Sequence, residues 1–189
     1  MNISIFKNSL EELSKILYFD QQDYLREKTT NPSKLKEYIT IAEDLLKATN
    51  YVDEEYYLMG TLGNLYRIYG EPQKAINLLN RCRSIAVGDE NVNREILSLI
   101  RLGEAIKYNN DPEKALVFFE EALELCRDGD SYYLDFALQH KGKCLLELSK
   151  NIEAKECFNE ALKLRELKGE RELIDSTLLA LDFLGKMSN

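Results

Sequence analysis

Apolar and small residues recur along this chain at the three- and four-residue intervals of one helix face. Leu35, Ile39, Ala42, Leu45 and Leu46 form one such stripe. Ala75, Leu79 and Cys82 form a second, Ala115, Phe119 and Ala122 a third, and Ala154, Phe158 and Ala161 a fourth. In the last three a large side chain lies between two small ones. The alanines follow one another by 40 and 39 residues, and each trails a glycine (Gly63, Gly103, Gly142) by 12. A fixed period of this size predicts stacked helix pairs, in which each unit buries its apolar face only against its neighbours.

The punctuation supports the same period. Pro32, Pro72 and Pro112 are spaced by 40 and 40 residues and preceded by Asn31, Glu71 and Asp111. Proline is tolerated in the first turn of a helix, and a preceding Asn or Asp can accept a hydrogen bond from that turn's free N–H groups. Each proline therefore starts the second helix of a pair, and Asn151 replaces it in the last pair. Gly63, Gly103 and Gly142 fall inside helical pattern, where glycine costs about 1 kcal/mol against alanine. Close approach of two helix backbones offsets that cost, with Ala75, Ala115 and Ala154 as the small residues on the facing helix.

These spacings predict a first helix opened by the capping box Ser9-Leu10-Glu11-Glu12 and running to about Thr29, with Leu10, Leu13, Leu17 and Tyr24 as its stripe. Its partner starts at Pro32. Further pairs are expected at about Asp53–Tyr69 with Pro72–Ala86, Asn91–Tyr108 with Pro112–Arg127, and Ser131–Leu148 with Ile152–Leu167. A last helix, about Glu170–Lys186, has no partner and reads as a cap. The repeats then occupy about 9–49, 50–89, 90–129 and 130–168, with the cap at about 170–187, in a single domain over 1–189. No run of alternating β-branched residues interrupts the helical pattern, so an all-α chain is expected.

The pattern Leu62-Gly63, Tyr66, Ala75, Leu79, Cys82 resembles the tetratricopeptide repeat. It returns as Leu102-Gly103, Ile106, Ala115, Phe119, Ala122, and as Gly142, Leu145, Ala154, Phe158, Ala161, with Lys141 where the family has Leu. The resemblance covers about residues 9–187. It implies a right-handed superhelical stack of antiparallel helix pairs, an α-solenoid of four pairs plus a C-terminal cap helix. The period of about 40 exceeds the family's common 34 and is similar to that of the peptide-sensing regulators of Gram-positive bacteria.

Composition narrows the function classes. Net charge is −8 at pH 7, which opposes a general nucleic-acid binder or an anionic membrane surface. No apolar run approaches the roughly 20 residues of a membrane span, and Glu11 and Glu12 spoil the N-terminal stretch as a leader. A cytoplasmic location is expected. Cys82, Cys126, Cys144 and Cys157 form no CxxC pair and read as buried reduced thiols.

In tetratricopeptide repeats the first helices line a concave groove that usually holds the ligand. By phase, the resemblance assigns to it Tyr24, Asn64, Arg67, Arg101, Lys107, Tyr108, Gln139, His140 and Lys143, interleaved with Glu27, Glu104 and Glu147. Basic residues concentrated there, in an acidic protein, point to an acidic peptide or protein partner. The family's set for gripping a peptide C-terminus is not reproduced, because Gly60 and Glu104 replace its Lys and second Asn. His140 and Cys144 lie one turn apart but offer only two metal ligands. Neither a cofactor nor an enzymatic motif is found: there is no phosphate loop, no HExxH and no GxSxG. The expectation is a non-catalytic interaction module binding a protein or peptide in the groove. Two alternatives remain: a sensor of a short peptide, acting through a separate effector, or a stand-alone neutralising partner of a toxin or enzyme. Oligomeric state is left open.

Overall fold

The computed structural model describes residues 2–129 and 132–187. In chain order the elements are α1 (Ile3–Ser14), β1 (Leu17–Asp20), β2 (Arg26–Thr29), α2 (Pro32–Ala48), α3 (Val52–Tyr69), α4 (Pro72–Gly88), α5 (Val92–Tyr108), α6 (Pro112–Asp128), α7 (Leu134–Glu147), α8 (Asn151–Lys168) and α9 (Arg171–Met187). The pairs α1/α2, α3/α4, α5/α6 and α7/α8 stack in order into a right-handed solenoid, and α9 packs on α8 as the cap. The expected start of the fourth pair at Ser131 lies outside the described residues; among them α7 begins at Leu134.

Local chemistry fixes the helix ends much as the punctuation predicts. Asn31 and Asp111 accept hydrogen bonds from the backbone N–H of Lys34 and Lys114, ahead of a proline in the first turn. Glu71 makes no such cap and pairs instead with Lys74 at 2.7 Å. Between the two helices of the second, third and fourth pairs, Gly70, Asn110 and Ser149 respectively take a left-handed conformation (φ 91°, 61° and 57°). Glycine does so at no steric cost and asparagine at little.

The three packing glycines explain how the rods nest. A Cβ on Gly63 would lie 2.6 Å from Leu79 Cγ, one on Gly103 2.7 Å from Phe119 Cε1, and one on Gly142 2.5 Å from Phe158 Cε1. Each glycine thus receives the large side chain of the second helix, not the alanine expected opposite it. Ala75, Ala115 and Ala154 are fully buried beside these contacts. Leu79, Phe119 and Phe158 are fully buried as well, and Phe119 belongs to the apolar core that runs continuously from Phe6 to Ala161.

The first repeat departs from expectation. The helix predicted from Ser9 to about Thr29 stops at Ser14, and residues 17–29 form an antiparallel hairpin pairing Leu17 with Thr29 and Asp20 with Arg26. Ser9 is not a cap: it sits within α1, and its hydroxyl donates to the Phe6 carbonyl. The cap is Asn2, which accepts from Ile5 N–H. α1 anchors on α2 through Phe6, fully buried and 6.4 Å ring to ring from Tyr38, whose hydroxyl donates to Ser9 O.

The glycine contacts give a direct test. Gly103→Ala should destabilise the fold by about 1–2 kcal/mol in urea unfolding, the overpacking cost outweighing alanine's better helix propensity. In a Phe119→Ala background the same change should cost nothing or stabilise, because the ring it collides with is gone.

Candidate functional site

The hairpin folds into the concave face lined by α3, α5 and α7. Arg26 is its main anchor. Its Nε and Nη2 donate to the two carboxylate oxygens of Glu147 at 3.0 and 2.6 Å, and Nη2 also reaches Lys107 O at 3.0 Å. Glu27 accepts from Arg67 at 2.8 Å, while its backbone N–H donates to the Tyr108 hydroxyl. Phe19 lies over the Lys143 ammonium, 3.9 Å from Nζ to the ring centre. At the tip, Leu25 is buried in an apolar cluster that includes Leu145, Phe158 and Phe183. Tyr24 and Leu25 both have positive φ (49° and 58°), a strained conformation for non-glycine residues that the burial of Leu25 and the Arg26 bonds offset.

Beneath the hairpin lies a network of buried charge. Glu104 faces Lys107 at 2.8 Å, His140 Nδ1 at 3.1 Å and Arg67 at 3.6 Å. Burial alone would raise its pKa, but these neighbours hold it well below the usual carboxylate range. Lys107, 1% exposed, is shared with Glu147 at 3.8 Å. Burial pushes the His140 imidazole down despite the opposing pull of Glu104, and its ring stacks on Phe119.

Two cations in this region lack a counter-charge. Among the described residues, no carboxylate lies within 4 Å of Arg101 or Lys143. Burial lowers the pKa of Arg101, whose guanidinium lies so close over Gly60 that a Cβ there would collide with it. Lys143 is 5% exposed, and burial depresses its pKa to about 8; Glu104 and Glu27 oppose that shift, while Lys107 and Arg67 reinforce it. Gln139, 3% exposed, has neither amide atom hydrogen-bonded. Arg101, Lys143 and Gln139 line a cavity of about 330 Å³. Its floor also includes Asn64, Arg67, Tyr108 and His140. Phe19, Leu25 and Glu27 of the hairpin roof it, and Leu173 and Ser176 of α9 form part of its wall.

Most residues assigned to the groove by phase therefore meet at one place. Asn64, Arg67, Arg101, Tyr108, Gln139, His140 and Lys143 line the cavity, and Lys107 is buried beside it in the Glu104–Glu147 network. Tyr24 does not belong to the concave wall: it lies exposed in the hairpin turn, because the helix meant to carry it is absent. Arg67 and Lys107 are consumed by internal ion pairs, so reversing their charge would test folding rather than binding. Cys144 is core: its thiol is buried and donates to Pro112 O at 3.1 Å. Sequence reasoning missed Arg26, Phe19 and Leu25. Arg26 is the one of the three whose charge, flanked by Asp23 and Glu27, offered any signal.

The tetratricopeptide-repeat family matches at residues 137–166, spanning most of α7 and α8. The chain has the tetratricopeptide-repeat fold. Solved structures of that fold resemble it along nearly its whole length. A Rap protein complexed with Competence and Sporulation Factor superposes with a TM-score of 0.75 at 16% identity, covering 97% of this chain and 48% of that one. The apo form of RapI gives 0.68 at 17% identity, covering 97% and 62%. Bacillus thuringiensis PlcR, in complex with the peptide PapR7 and DNA, gives 0.69 at 16% identity, covering 92% and 67%. This chain thus spans about half to two thirds of their lengths. No curated protein matches it in sequence.

Two outcomes check the site's electrostatics. Arg26→Ala should cost about 2–3 kcal/mol, since Glu147 is left buried with only Lys107 nearby. Hydrogen exchange should then accelerate at residues 17–29 while α5 and α6 stay protected. For Lys143, the unfolded chain binds more protons than the native one between pH 8 and about 10.5, so stability rises with pH across that window. Between pH 7.5 and 10 the unfolding free energy should gain roughly 2 kcal/mol more in the native sequence than in Lys143→Met.

Proposed function

We propose that this protein is a non-catalytic interaction module that receives a peptide or protein segment on its concave face, at the cavity beneath the hairpin. The observation that carries the reading is the uncompensated polarity there. Among the described residues Arg101 and Lys143 lack carboxylate partners, and the Gln139 amide is buried and unbonded. Leaving such groups unsatisfied is destabilising, and a bound partner relieves it. Likeness of fold to complexes of Rap with Competence and Sporulation Factor and of PlcR with PapR7 supports a peptide as the partner class. The local surplus of positive charge favours an acidic one.

The hairpin refines what the partner meets. It fills part of the groove that the repeat pattern alone would leave open. A partner must insert beside it, making Phe19, Leu25 and Glu27 part of the recognition surface, or displace it at the cost of the Arg26–Glu147 and Arg67–Glu27 pairs.

Site-directed photo-crosslinking tests the concave-face assignment. A benzophenone side chain replacing Leu97, on the cavity wall, should capture a partner from the source cell's lysate, whereas one replacing Val117, exposed on α6, should not. Capture from Val117 alone, or from neither position, would refute it.

A further inference from the structure

We infer that the cavity under the hairpin is a site for a ligand bearing two carboxylates, one facing Arg101 and the other Lys143. This rests on the concave-face reading and narrows it to a ligand chemistry.

The charges around the cavity set the number of anionic groups. Six cations stand on or beside the cavity (Arg26, Arg67, Arg101, Lys107, Lys143 and Arg165) against four carboxylates (Glu27, Glu104, Glu147 and Asp135, the last paired with Arg165 at 2.8 Å). Arg26 and Glu147 pair bidentately, Arg67 bridges Glu27 and Glu104, and Lys107 bridges Glu104 and Glu147. Every carboxylate is taken. Two positive charges remain, and they belong to Arg101 and Lys143, the two without a carboxylate partner among the described residues. Two singly charged carboxylates would neutralise them. A doubly charged phosphate at either cation would overshoot beside Glu27 and Glu104 and meet their repulsion.

The seats differ in shape. Arg101 presents a planar fork that holds a carboxylate by two parallel N–H bonds, and Gly60 leaves the room its guanidinium occupies. Lys143 is a point charge held under the Phe19 ring. On the same cavity wall, Gln139 offers a buried amide with donor and acceptor both free, suited to a peptide group. The volume of about 330 Å³ lies at the low end for small-ligand sites. It admits the end of a peptide or a small diacid, not a long extended segment. An acidic residue at a peptide's C-terminus and a free dicarboxylate share this chemistry.

Calorimetric titration of the purified chain separates these sources and tests the site without the unknown partner. The probes are acetyl-Ala-Ala-Glu with a free C-terminus, the same peptide as its C-terminal amide, glutarate, and inorganic phosphate. The free-acid peptide or glutarate should bind, and Arg101→Gln and Lys143→Gln should each weaken that binding at least tenfold while leaving the unliganded melting temperature unchanged or higher, since neither residue makes an internal ion pair. Peptide binding at least tenfold tighter than glutarate, and lost on amidation, assigns the source to a peptide terminus; equal binding assigns it to a small diacid. The inference is overturned if neither dicarboxylate binds below about 10 mM, if phosphate binds more tightly than both, or if binding survives both substitutions. Should Leu97 still capture a partner in the groove under those outcomes, the dicarboxylate assignment alone fails and the interaction module stands.

Discussion

The contact on which the rest of the molecule depends is a ring or branched side chain pressed into the face of a glycine on the adjoining helix. Leu79 on Gly63, Phe119 on Gly103 and Phe158 on Gly142 set how closely the two rods of each pair approach. Close-packed interiors cannot stretch to accept another carbon, so the contact fixes the helix separation. Recurring in phase, it brings the first helices of the last three pairs, α3, α5 and α7, to the same side. The residues just beyond the glycines, Asn64, Glu104 and Lys143, therefore stand in one line along the concave face. The site is a by-product of the packing period.

What fills that face is decided by electrostatics at long range in sequence. Glu147 lies 121 positions from Arg26, and Glu27 lies 40 from Arg67. Once α3, α5 and α7 are stacked, Glu104 and Glu147 are buried carboxylates, and burying them without cations would be prohibitive. Lys107 and Arg67 meet part of that demand. Arg26 meets the rest only if residues 17–29 enter the groove. The hairpin is thus stabilised from the far side of the molecule, including by Leu25 against the cluster beneath α9. It joins the first repeat to the last, and opening it costs contacts at both ends of the solenoid.

This division explains how much was legible. The period, the proline starts and the packing glycines are local and repeated, and the helix boundaries from Val52 onward follow them closely. The concave row was legible for the same reason: Asn64, Arg101, Gln139, His140 and Lys143 inherit their direction from the phase. The hairpin repeats nothing. Its turn has no Asn-Gly or Gly pair, and its two left-handed residues are Tyr24 and Leu25, which ordinarily avoid that conformation. Tyr18 and Phe19 suit a strand, but next to Leu10, Leu13 and Leu17 they also continue a helical stripe. Only the distant carboxylates break the tie. Likewise, that Arg67 and Lys107 are spent on internal pairs while Arg101 and Lys143 are not cannot be read from residue type.

The distinction matters for how such a solenoid recognises anything. An open groove lined with free cations would attract acidic chains over its whole length and discriminate poorly among them. Here the hairpin brings its own glutamate to Arg67 and its own arginine to Glu147, cancelling most of the field along the wall. The remaining field is confined to one small chamber. On the proposed reading, attraction that survives only where shape is also constrained turns a general preference for negative charge into a selective one, because a ligand would have to place its charges at Arg101 and Lys143 while fitting under Phe19. The segment that closes the groove would, on that reading, also give it specificity.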